Sequence, residues 1–408
     1  KQKENDMDLY LPIKDIYARE ILDSGGYPAI EAEVLAGEEI VGRAAVTAVK
    51  NGEGIQKTIE NINSQIAPEL IGINVASQEV IDQILFQKEG ALPVSLAASL
   101  AAAEALKLPL YRYLGGMRAV KLPVPVMNLI QGGRENGSFL DFREFMIVPS
   151  GISEFHNQLQ AGAAIYHALK QKLEEDKISA KKGDEGGFVL VQESVEEVLS
   201  LMKYAVEQAG YECGREVQFA VDAGAHRFYD RTTGNYHLPG EAKKQGRRIE
   251  KSSEELIAYY EKLTAQYAIC SLENPLSSED DEGWKKLTEK LGDELYLLGG
   301  GEFSDDSVKL RQWIKQEKGN SILIRMHQNT TLTELFQTVK EAQKAGVYLF
   351  VAHAVDETED TVLADLAVAC EAAQIRTGAP CRSERVAKYN RLLRIEEKLG
   401  NVIVSEVK

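Results

Sequence analysis

The sequence predicts an α/β protein in which a small N-terminal α+β domain is followed by a C-terminal barrel of the (β/α)8 type. Three observations support this fold class. Near the N-terminus, apolar and polar side chains alternate as in a half-buried strand. From about residue 121 onward, short apolar runs recur, and the last six are separated by segments of helix length. The length of 408 residues also exceeds that of a typical single domain.

The predicted N-terminal domain covers residues 1–120 and begins with paired strands over residues 12–46. The stretch AIEAEVLAG (29–37) alternates apolar and acidic side chains, which is typical of an antiparallel strand with one face in water. From Gly54 to about Leu114 the pattern becomes helical. Strands followed by helices predict a compact α+β unit.

The predicted barrel covers residues 121–408 and depends on eight apolar runs. The runs are PVPVMN (123–128), EFMIVP (144–149), VQFAVDAG (217–224), AICSLENP (268–275), LYLLGGG (295–301), SILIRMH (321–327), VYLFVAHA (347–354) and IRTGAP (375–380). Helices separate the later runs; in the predicted helix 195–209, Ser194 and Glu197 form a capping box and Gly210 ends the helix. Such alternation predicts a largely parallel sheet, and eight strands suggest that it closes.

The composition excludes several classes of partner. A net charge of −16 argues against nucleic acid or an anionic membrane as the main partner, although a locally positive site can still bind an anionic metabolite. The four cysteines are widely spaced without a CxxC motif, so we expect buried, reduced thiols. No apolar run approaches the roughly 20 residues of a membrane helix. The first ten residues lack the apolar core of a signal peptide, and a cytoplasmic location is therefore expected.

The carboxyl ends of the predicted strands carry most of the residues that could perform chemistry. In chain order they are Asp222, Glu273, Gly300 to Glu302, Arg325, His353 and Arg376, with the loop GDEGGF (183–188) nearby. Because the carboxyl ends of barrel strands meet at one mouth, these side chains are expected to converge. Two acids on neighbouring strand ends suit Mg²⁺, which prefers carboxylate oxygens, although each acid could instead cap the next helix.

Six segments of this chain resemble the enolase family in order and spacing. They are 15–34 (DIYAREILDSGGYPAIEAEV), 109–116 (PLYRYLGG), 143–149 (REFMIVP), 183–188 (GDEGGF), 353–369 (HAVDETEDTVLADLAVA) and 376–400 (RTGAPCRSERVAKYNRLLRIEEKLG). The resemblance covers nearly the whole chain. It implies a barrel whose first strands are partly antiparallel. It also implies a dimer, in which Glu31 and Arg394 fall on positions that pair across the subunit interface.

The enolase reaction dehydrates 2-phosphoglycerate to phosphoenolpyruvate with two Mg²⁺. A lysine removes the proton next to the carboxylate, the metals and a second lysine hold the enediolate, and a glutamate helps hydroxide to leave. The resemblance assigns the leaving-group role to Glu185 and the assisting role to Glu144. It assigns the first two metal-ligand positions to Asp222 and Glu273, and the histidine near the end of the seventh strand to His353.

Other positions depart from the family pattern. The family's third metal ligand, an aspartate, corresponds to Gly300 here, and Glu302 is a candidate substitute. The base lysine corresponds to Arg325 and the second lysine to Arg376. The arginine and serine with which the family grips the phosphate correspond to Ala354 and Val355 in this chain. The family's mobile loop corresponds to AVKNGE (48–53), and a loop histidine corresponds to Glu135.

These departures predict that ordinary enolase activity is lost or greatly weakened. Arginine stays protonated at any working pH, so Arg325 is a poor general base. Fewer carboxylates and two permanent cations also weaken Mg²⁺ binding. The sequence therefore predicts an anion-binding or assembly protein, as a homodimer, a higher homo-oligomer or a mixed dimer with a true enolase. The alternative is an active enolase or repurposed lyase that uses Arg325 and Arg376 in place of lysines.

Two interpretations of the arginines stay open. In one, Arg325 and Arg376 form ion pairs with Asp222, Glu273 or Glu185 and replace the metal. In the other, they bind a small phosphorylated or carboxylated metabolite. For His353 the expectation is a hydrogen-bonded residue at a strand end.

Overall fold

The computed structural model describes residues 10–47, 54–133, 137–178, 181–190, 194–300, 307–328, 330–400, 403–405 and 407. The N-terminal domain consists of strands β1 (Ile13–Leu22), β2 (Pro28–Ala36) and β3 (Ile40–Thr47) and helices α1 (Ile55–Asn61), α2 (Ala67–Leu70), α3 (Gln78–Leu85), α4 (Ala91–Ala105) and α5 (Leu110–Gly115). A π-helical turn at Ile62–Ile66 joins α1 to α2.

The three strands form an antiparallel sheet in the order β1-β2-β3, and α4 covers one face of it. The alternating burial along β2 confirms the period-two prediction. At Gly42 of β3 the helix comes very close, because a Cβ there would lie 2.0 Å from the Ala97 carbonyl oxygen. The absence of a side chain at this residue is therefore what allows α4 to pack on the sheet.

The remaining strands are β4 (Lys121–Leu122), β5 (Val124–Gln131), β6 (Glu144–Val148), β7 (Lys181–Lys182), β8 (Phe188–Val189), β9 (Gln218–Asp222), β10 (Tyr229–Asp230), β11 (Asn235–His237), β12 (Glu250–Lys251), β13 (Ile269–Glu273), β14 (Tyr296–Gly299), β15 (Ser321–Arg325), β16 (Tyr348–Ala352), β17 (Gln374–Arg376) and β18 (Ile403–Val404). Within the described ranges, eight of them (β5, β6, β9 and β13 to β17) follow one another around a barrel, which closes where β17 pairs with β5. Each coincides with one of the eight predicted apolar runs, so the barrel prediction is confirmed.

One strand runs against the others. β6 is antiparallel to both β5 and β9, whereas the pairs from β9 through β17 and back to β5 are parallel. This confirms the partly antiparallel first strands that the resemblance implied. As a result, the first residue of β6, Glu144, lies at the same end of the barrel as the last residues of its parallel neighbours.

Helices surround the barrel. They are α6 (Phe155–Glu175), α7 (Val195–Gln208), α8 (Pro239–Gln245), α9 (Ser253–Gln266), α10 (Asp281–Leu291), α11 (Ser307–Lys315), α12 (Leu332–Lys344), α13 (Val362–Ala369) and α14 (Ser383–Leu399). The predicted capping box of α7 is present: the Ser194 side chain accepts from the Glu197 amide, and the Glu197 side chain accepts from the Ser194 amide. The helix ends at Gln208, one residue before the predicted end.

Apolar side chains fill the barrel interior. Alternate strand residues form two clusters distinct from the main core; one contains Val124, Val126, Met146, Val148, Ala220 and Cys270, and the other Tyr296, Leu298, Leu323, Phe350 and Ala352. A packed interior leaves space for a ligand only at the mouth. The side chains at the carboxyl ends of the strands therefore define the candidate site.

The N-terminal domain is anchored beside this mouth by buried polar contacts. Asp82 of α3 accepts hydrogen bonds from the backbone amide (2.9 Å) and the hydroxyl (2.6 Å) of Thr333 at the start of α12. Ser95 of α4 accepts one from the Leu332 amide at 3.1 Å. Both barrel residues follow β15, so the domain borders the mouth at that strand.

The four cysteines carry free thiols; Cys270 and Cys370 are buried, and Cys213 and Cys381 are half-buried. Among the residues that the structure describes, no single helix is both long and apolar enough to cross a membrane. In the same described residues one bent pair of helices, α4 with the segment Leu110–Arg118 at an angle of 97°, is long and apolar enough by length and composition alone.

Candidate active site

Three carboxylates meet at one corner of the barrel mouth. Glu273, the last residue of β13, is the register partner of Asp222, the last residue of β9. Asp222 is in turn the register partner of Glu144 at the start of β6. All three side chains are buried. The sequence predicted that Asp222 and Glu273 converge, because parallel strands end at the same edge of a barrel, whereas Glu144 was a candidate only through the resemblance.

Arg376, at the end of β17, lies among these carboxylates and is itself buried. One terminal nitrogen donates to Glu273 at 2.5 Å, and the other donates to Glu144 and lies 3.8 Å from Glu185. Burial by itself would lower the pKa of Arg376, but the negative charges of Glu144 and Glu273 raise it well above its ordinary value. This side chain is a permanent cation that neutralises the acids around it.

Two further arginines stand at the same mouth and are partly exposed. Arg325, at the end of β15, lies 3.6 Å from Glu273 with its side chain 20% exposed. Arg143, just before β6, lies 3.3 Å from Glu144 and 3.6 Å from Asp222 with its side chain 28% exposed. The ion-pair interpretation of Arg325 and Arg376 is therefore confirmed for Glu273, which contacts both guanidinium groups.

Glu185 enters the site from a loop that the backbone holds closed. The Gly183 amide donates to the Gly187 carbonyl at 2.8 Å, and the Ala379 amide donates to the Glu185 carbonyl at 2.8 Å. The Asn128 side chain donates to the Glu185 carboxylate at 2.6 Å. These contacts place the carboxylate of Glu185 over the buried acids.

His353, directly after β16, contacts Glu185 through Nε2 at 3.3 Å, and Arg385 and the Ala354 carbonyl lie at Nδ1. The prediction of a hydrogen-bonded histidine at a strand end is confirmed. Burial lowers the pKa of His353, although the Glu185 carboxylate acts in the opposite direction. Burial would raise the pKa of Glu185, but the positive charge of Arg376 and the hydrogen bond with His353 hold it well below its ordinary value. At neutral pH this pair consists of a carboxylate and a neutral imidazole.

Asp222 is the least compensated acid of the cluster. Its Oδ2 atom is buried and has no hydrogen-bond partner among the described residues, with Arg143 3.6 Å away. Burial and the neighbouring Glu273 raise the pKa of Asp222 to about 7. On its other oxygen, Asp222 accepts from the Asn274 side chain at 3.2 Å.

Asn274 lies between the two strand-end acids Asp222 and Glu273. Its amide nitrogen lies 3.2 Å from an oxygen of Asp222 and 3.4 Å from an oxygen of Glu273. Its backbone is left-handed (φ 46°), which asparagine tolerates better than most residues. A Cβ at Gly300 would lie 2.5 Å from the Asn274 side-chain oxygen. The asparagine thus occupies space that a side chain at residue 300 would need.

Two family models match this chain. The one described as "Enolase, N-terminal domain" matches residues 13–114, and the one described as "Enolase, C-terminal TIM barrel domain" matches residues 119–406. The chain belongs to the enolase family. The fold described above agrees with this assignment, since it has the N-terminal α+β domain and the barrel in the same order.

Enolases generally use Mg²⁺, so the described residues can be compared with the needs of that ion. Asp222 and Glu273 lie side by side, as a shared metal site would require. However, Asn274 directs amide hydrogens at both of them, and Arg376 holds the other oxygen of Glu273. Gly300 contributes no side chain. Among the described residues this arrangement does not fit a Mg²⁺ site, because Asn274 and Arg376 contact three of the four oxygens of these two acids and no group of three metal-binding side chains is present.

The candidate ligand Glu302 and two predicted departures from the enolase pattern, the segment 48–53 and Glu135, lie outside the described residues. Ala354 and Val355 are described. Neither can donate a side-chain hydrogen bond to phosphate, and Val355 is 50% exposed at the mouth.

Sequence reasoning missed four residues of this enolase-like site: Asn274, Arg143, Asn128 and His327. Each had a signal in the sequence. Asn274 and His327 lie one and two residues beyond a strand end, and Arg143 directly precedes a predicted acid. Asn128 is a polar residue within an otherwise apolar strand, and buried polar groups of this kind usually pair with another polar group.

A cavity of about 240 Å³ opens at the mouth above the buried acids. We call it the arginine pocket; its lining includes Arg143, Arg325, Arg376, Glu185, His353 and Val355. Of the residues that the structure describes, three guanidinium groups and one carboxylate line it, whereas the other acids lie deeper. The surface that a ligand would meet is therefore positive within an acidic protein.

Proposed function

We propose that this enolase homologue has lost the dehydration of 2-phosphoglycerate, or retains it only weakly, and that it binds a small anionic metabolite at the barrel mouth. The observation that carries the proposal is the position of Arg376, whose guanidinium bridges Glu144 and Glu273. Both acids are therefore paired with a permanently charged residue, which cannot act as a base at neutral pH. A proton acceptor of the usual kind is also missing at Arg325.

The anion-binding part rests on the arginine pocket. Arginine presents a planar fork of donors that matches carboxylate and phosphate oxygens. The side chains of Arg325 and Arg143 are 20% and 28% exposed, and both line the cavity while they contact the acids beneath it. A phosphorylated or carboxylated metabolite could share these guanidinium groups without displacing the buried ion pairs.

The assembly part rests on the outer face of the N-terminal sheet. Glu31 is paired within the chain to Arg19, and Arg394 on α14 is exposed. Tyr17, on the same sheet, is 52% exposed. We propose that this face takes part in a homodimer, a higher homo-oligomer or a mixed dimer with a true enolase. The mass of the purified protein in solution, measured by light scattering, tests the homo-oligomer.

One observation favours a second candidate, a lyase with repurposed residues. Glu185 and His353 lie 3.3 Å apart in a buried pocket, which is hydrogen-bond reach for proton transfer. In this alternative Arg325 and Arg376 would stabilise negative charge on the substrate rather than remove a proton. Turnover of 2-phosphoglycerate, measured as described next, distinguishes the two candidate functions.

Purified protein is expected to show no turnover of 2-phosphoglycerate with millimolar Mg²⁺, measured by the absorbance of phosphoenolpyruvate. The physical reason is the absence of a titratable base at Arg325 combined with the ion pairs of Arg376. Glu185→Gln is the matched control, since a contaminating host enolase would give the same rate in both preparations. Turnover in the unmodified protein that disappears in Glu185→Gln would refute the loss of activity and support the lyase.

Arg325→Lys alone is expected to leave the protein inactive in the same assay. Lysine could serve as a base, but Arg376 would still hold Glu144 and Glu273, and Asn274 would still lie between the strand-end acids. Any measurable conversion of 2-phosphoglycerate by this single variant, absent from Arg325→Lys/Glu185→Gln, would contradict the prediction. It would mean that the position of Arg376 does not prevent catalysis.

A further inference from the structure

A second cavity adjoins the arginine pocket. It has a volume of about 290 Å³ and lies between the N-terminal domain and the barrel mouth. His327, in the turn that follows β15, lines both cavities, so the two adjoin at this residue. We call the second cavity the outer pocket; the apolar side chains that line it include Ile30, Val46, Ile55 and Leu92.

The outer pocket is apolar because of how the N-terminal domain is built. Ile30 of β2 and Val46 of β3 are register partners, so they lie side by side on one face of the sheet. Ile55 begins α1, and Leu92 belongs to the first turn of α4. Residues far apart in the sequence therefore contribute one continuous apolar wall, which the contacts of α12 with α3 and α4 hold against the barrel.

The charged residues near this wall are already engaged. Lys88 forms an ion pair with Glu69 at 2.6 Å, and the Glu89 carboxylate accepts a hydrogen bond from Thr58 at 2.7 Å. His327 is uncharged at neutral pH, because burial and the neighbouring Arg325 lower its pKa to about 4. The outer pocket therefore combines an apolar wall with two charged side chains that already have partners, Lys88 and Glu89, and the neutral His327 lies where it adjoins the arginine pocket.

Size and polarity together indicate the chemical class of the ligand. The arginine pocket alone is smaller than the roughly 300 Å³ at which small-molecule sites usually begin, whereas the two cavities together fall within the usual range. Such sites combine apolar walls with a few polar groups that fix orientation. Here all three guanidinium groups line the arginine pocket, whereas the two charged residues of the outer pocket, Lys88 and Glu89, already have partners, so the anionic end of a ligand would lie in the arginine pocket.

We propose that the ligand is an organic anion, a carboxylate or a phosphate ester, that carries a short alkyl or aryl group. Its anionic end lies against Arg325 and Arg143 in the arginine pocket, and its apolar group passes His327 into the outer pocket. The inference rests on the proposed function, because it requires that the arginine pocket binds anions. It adds a prediction that anion binding alone does not make: affinity rises with the apolar group.

Isothermal titration calorimetry of the full chain tests this with two pairs of probes, inorganic phosphate with butyl phosphate and acetate with hexanoate. In at least one pair the probe with the alkyl chain is expected to bind about 10- to 100-fold more tightly, which is the gain from burying about two to three of its methylene groups. The pair that shows the larger gain identifies the headgroup. Arg325→Gln is expected to weaken binding of every probe.

Two variants of the same strand locate the alkyl chain. Val46→Asn places an amide in the outer pocket and is expected to reduce the ratio of the two affinities within a pair to less than about threefold, since apolar burial there is lost. Val41→Asn is the matched control: Val41 is 48% exposed on β3 and does not line the pocket, so the ratio should stay unchanged.

The outcomes separate the inference from the proposed function. Binding of phosphate or acetate that Arg325→Gln weakens, with no gain from the alkyl chain, would overturn the inference and leave the proposed function standing. A gain that persists in Val46→Asn would also overturn it, since the chain would lie elsewhere. If no probe binds the unmodified protein, both the inference and the anion-binding function fail.

Discussion

Arg376→Leu is expected to lower the free energy of unfolding by about 3–5 kcal/mol, the usual cost of removing one partner of a buried ion pair. The variant would leave Glu144, Glu273 and Glu185 as carboxylates in a buried cluster without their central cation. With leucine in place of the guanidinium, these carboxylates would lie against an apolar side chain, which penalises their charged form. Urea denaturation at neutral pH, followed by circular dichroism, measures the change.

Arg215→Leu is the matched control for this variant. Arg215 is 71% exposed and pairs with Glu212 at 3.0 Å, and exposed pairs contribute only about 0–1 kcal/mol. The double variant Glu273→Gln/Arg376→Leu should recover part of the lost stability, because one stranded charge is removed. A loss for Arg376→Leu no larger than that for Arg215→Leu would show that the bridge does not stabilise the fold and would contradict the proposed function.

His327 gives the second large effect, which depends on pH. Its pKa is about 4 in the folded protein, below the ordinary value of 6.5. A depressed histidine pKa leaves stability intact at neutral pH and removes it as the pH falls, because the unfolded chain then binds a proton that the folded chain does not. The cost should reach about 2 kcal/mol at pH 5 and about 3 kcal/mol at pH 4.

His327→Gln removes this titration and isolates its effect. The stability of the unmodified protein relative to this variant should fall by about 2 kcal/mol between pH 7.5 and pH 5, while other titrating groups cancel in the comparison. In an Arg325→Gln background the fall should be smaller, since Arg325 contributes to the low pKa. A difference between protein and variant that is constant over this pH range would mean that His327 is not held neutral.

Arg376→Leu and His327→Gln change different parts of one site. Arg376 joins the buried acids to one another, whereas His327 and Arg325 face the cavities above them. A protein that needed Mg²⁺ at Asp222 and Glu273 would gain little from a guanidinium fixed to Glu273. In a protein that binds an anion at the mouth, the same guanidinium neutralises the acids that lie beneath the partly exposed arginines.

The sequence was sufficient for the barrel and for much of its mouth. The eight apolar runs, including SILIRMH (321–327), became the eight barrel strands, because short apolar segments between helices have few other ways to bury both faces. The rule that parallel strands end together placed Asp222, Glu273, Arg325 and Arg376 at one mouth. Resemblance to a known family supplied the chemistry that those positions usually perform.

Pairing among these side chains was decided by the tertiary structure. An arginine has several rotatable bonds, so the sequence left open whether Arg376 would face a ligand or bridge Glu144 and Glu273. The place of Asn274 depends on a left-handed backbone conformation that its sequence neighbours do not specify. The strand order by itself therefore predicted which groups meet, but not which of them bind one another.

The outer pocket shows most clearly what the sequence determined and what only the tertiary structure decided. The sequence by itself determined that Ile30, Val46, Ile55 and Leu92 are apolar and belong to strands and helices of the N-terminal domain. Only the docking of that domain beside β15, through Asp82 and Ser95, brings their side chains to His327. The physical reason is that hydrophobic periodicity reports which face of an element is buried, whereas a cavity depends on where two such faces fail to meet.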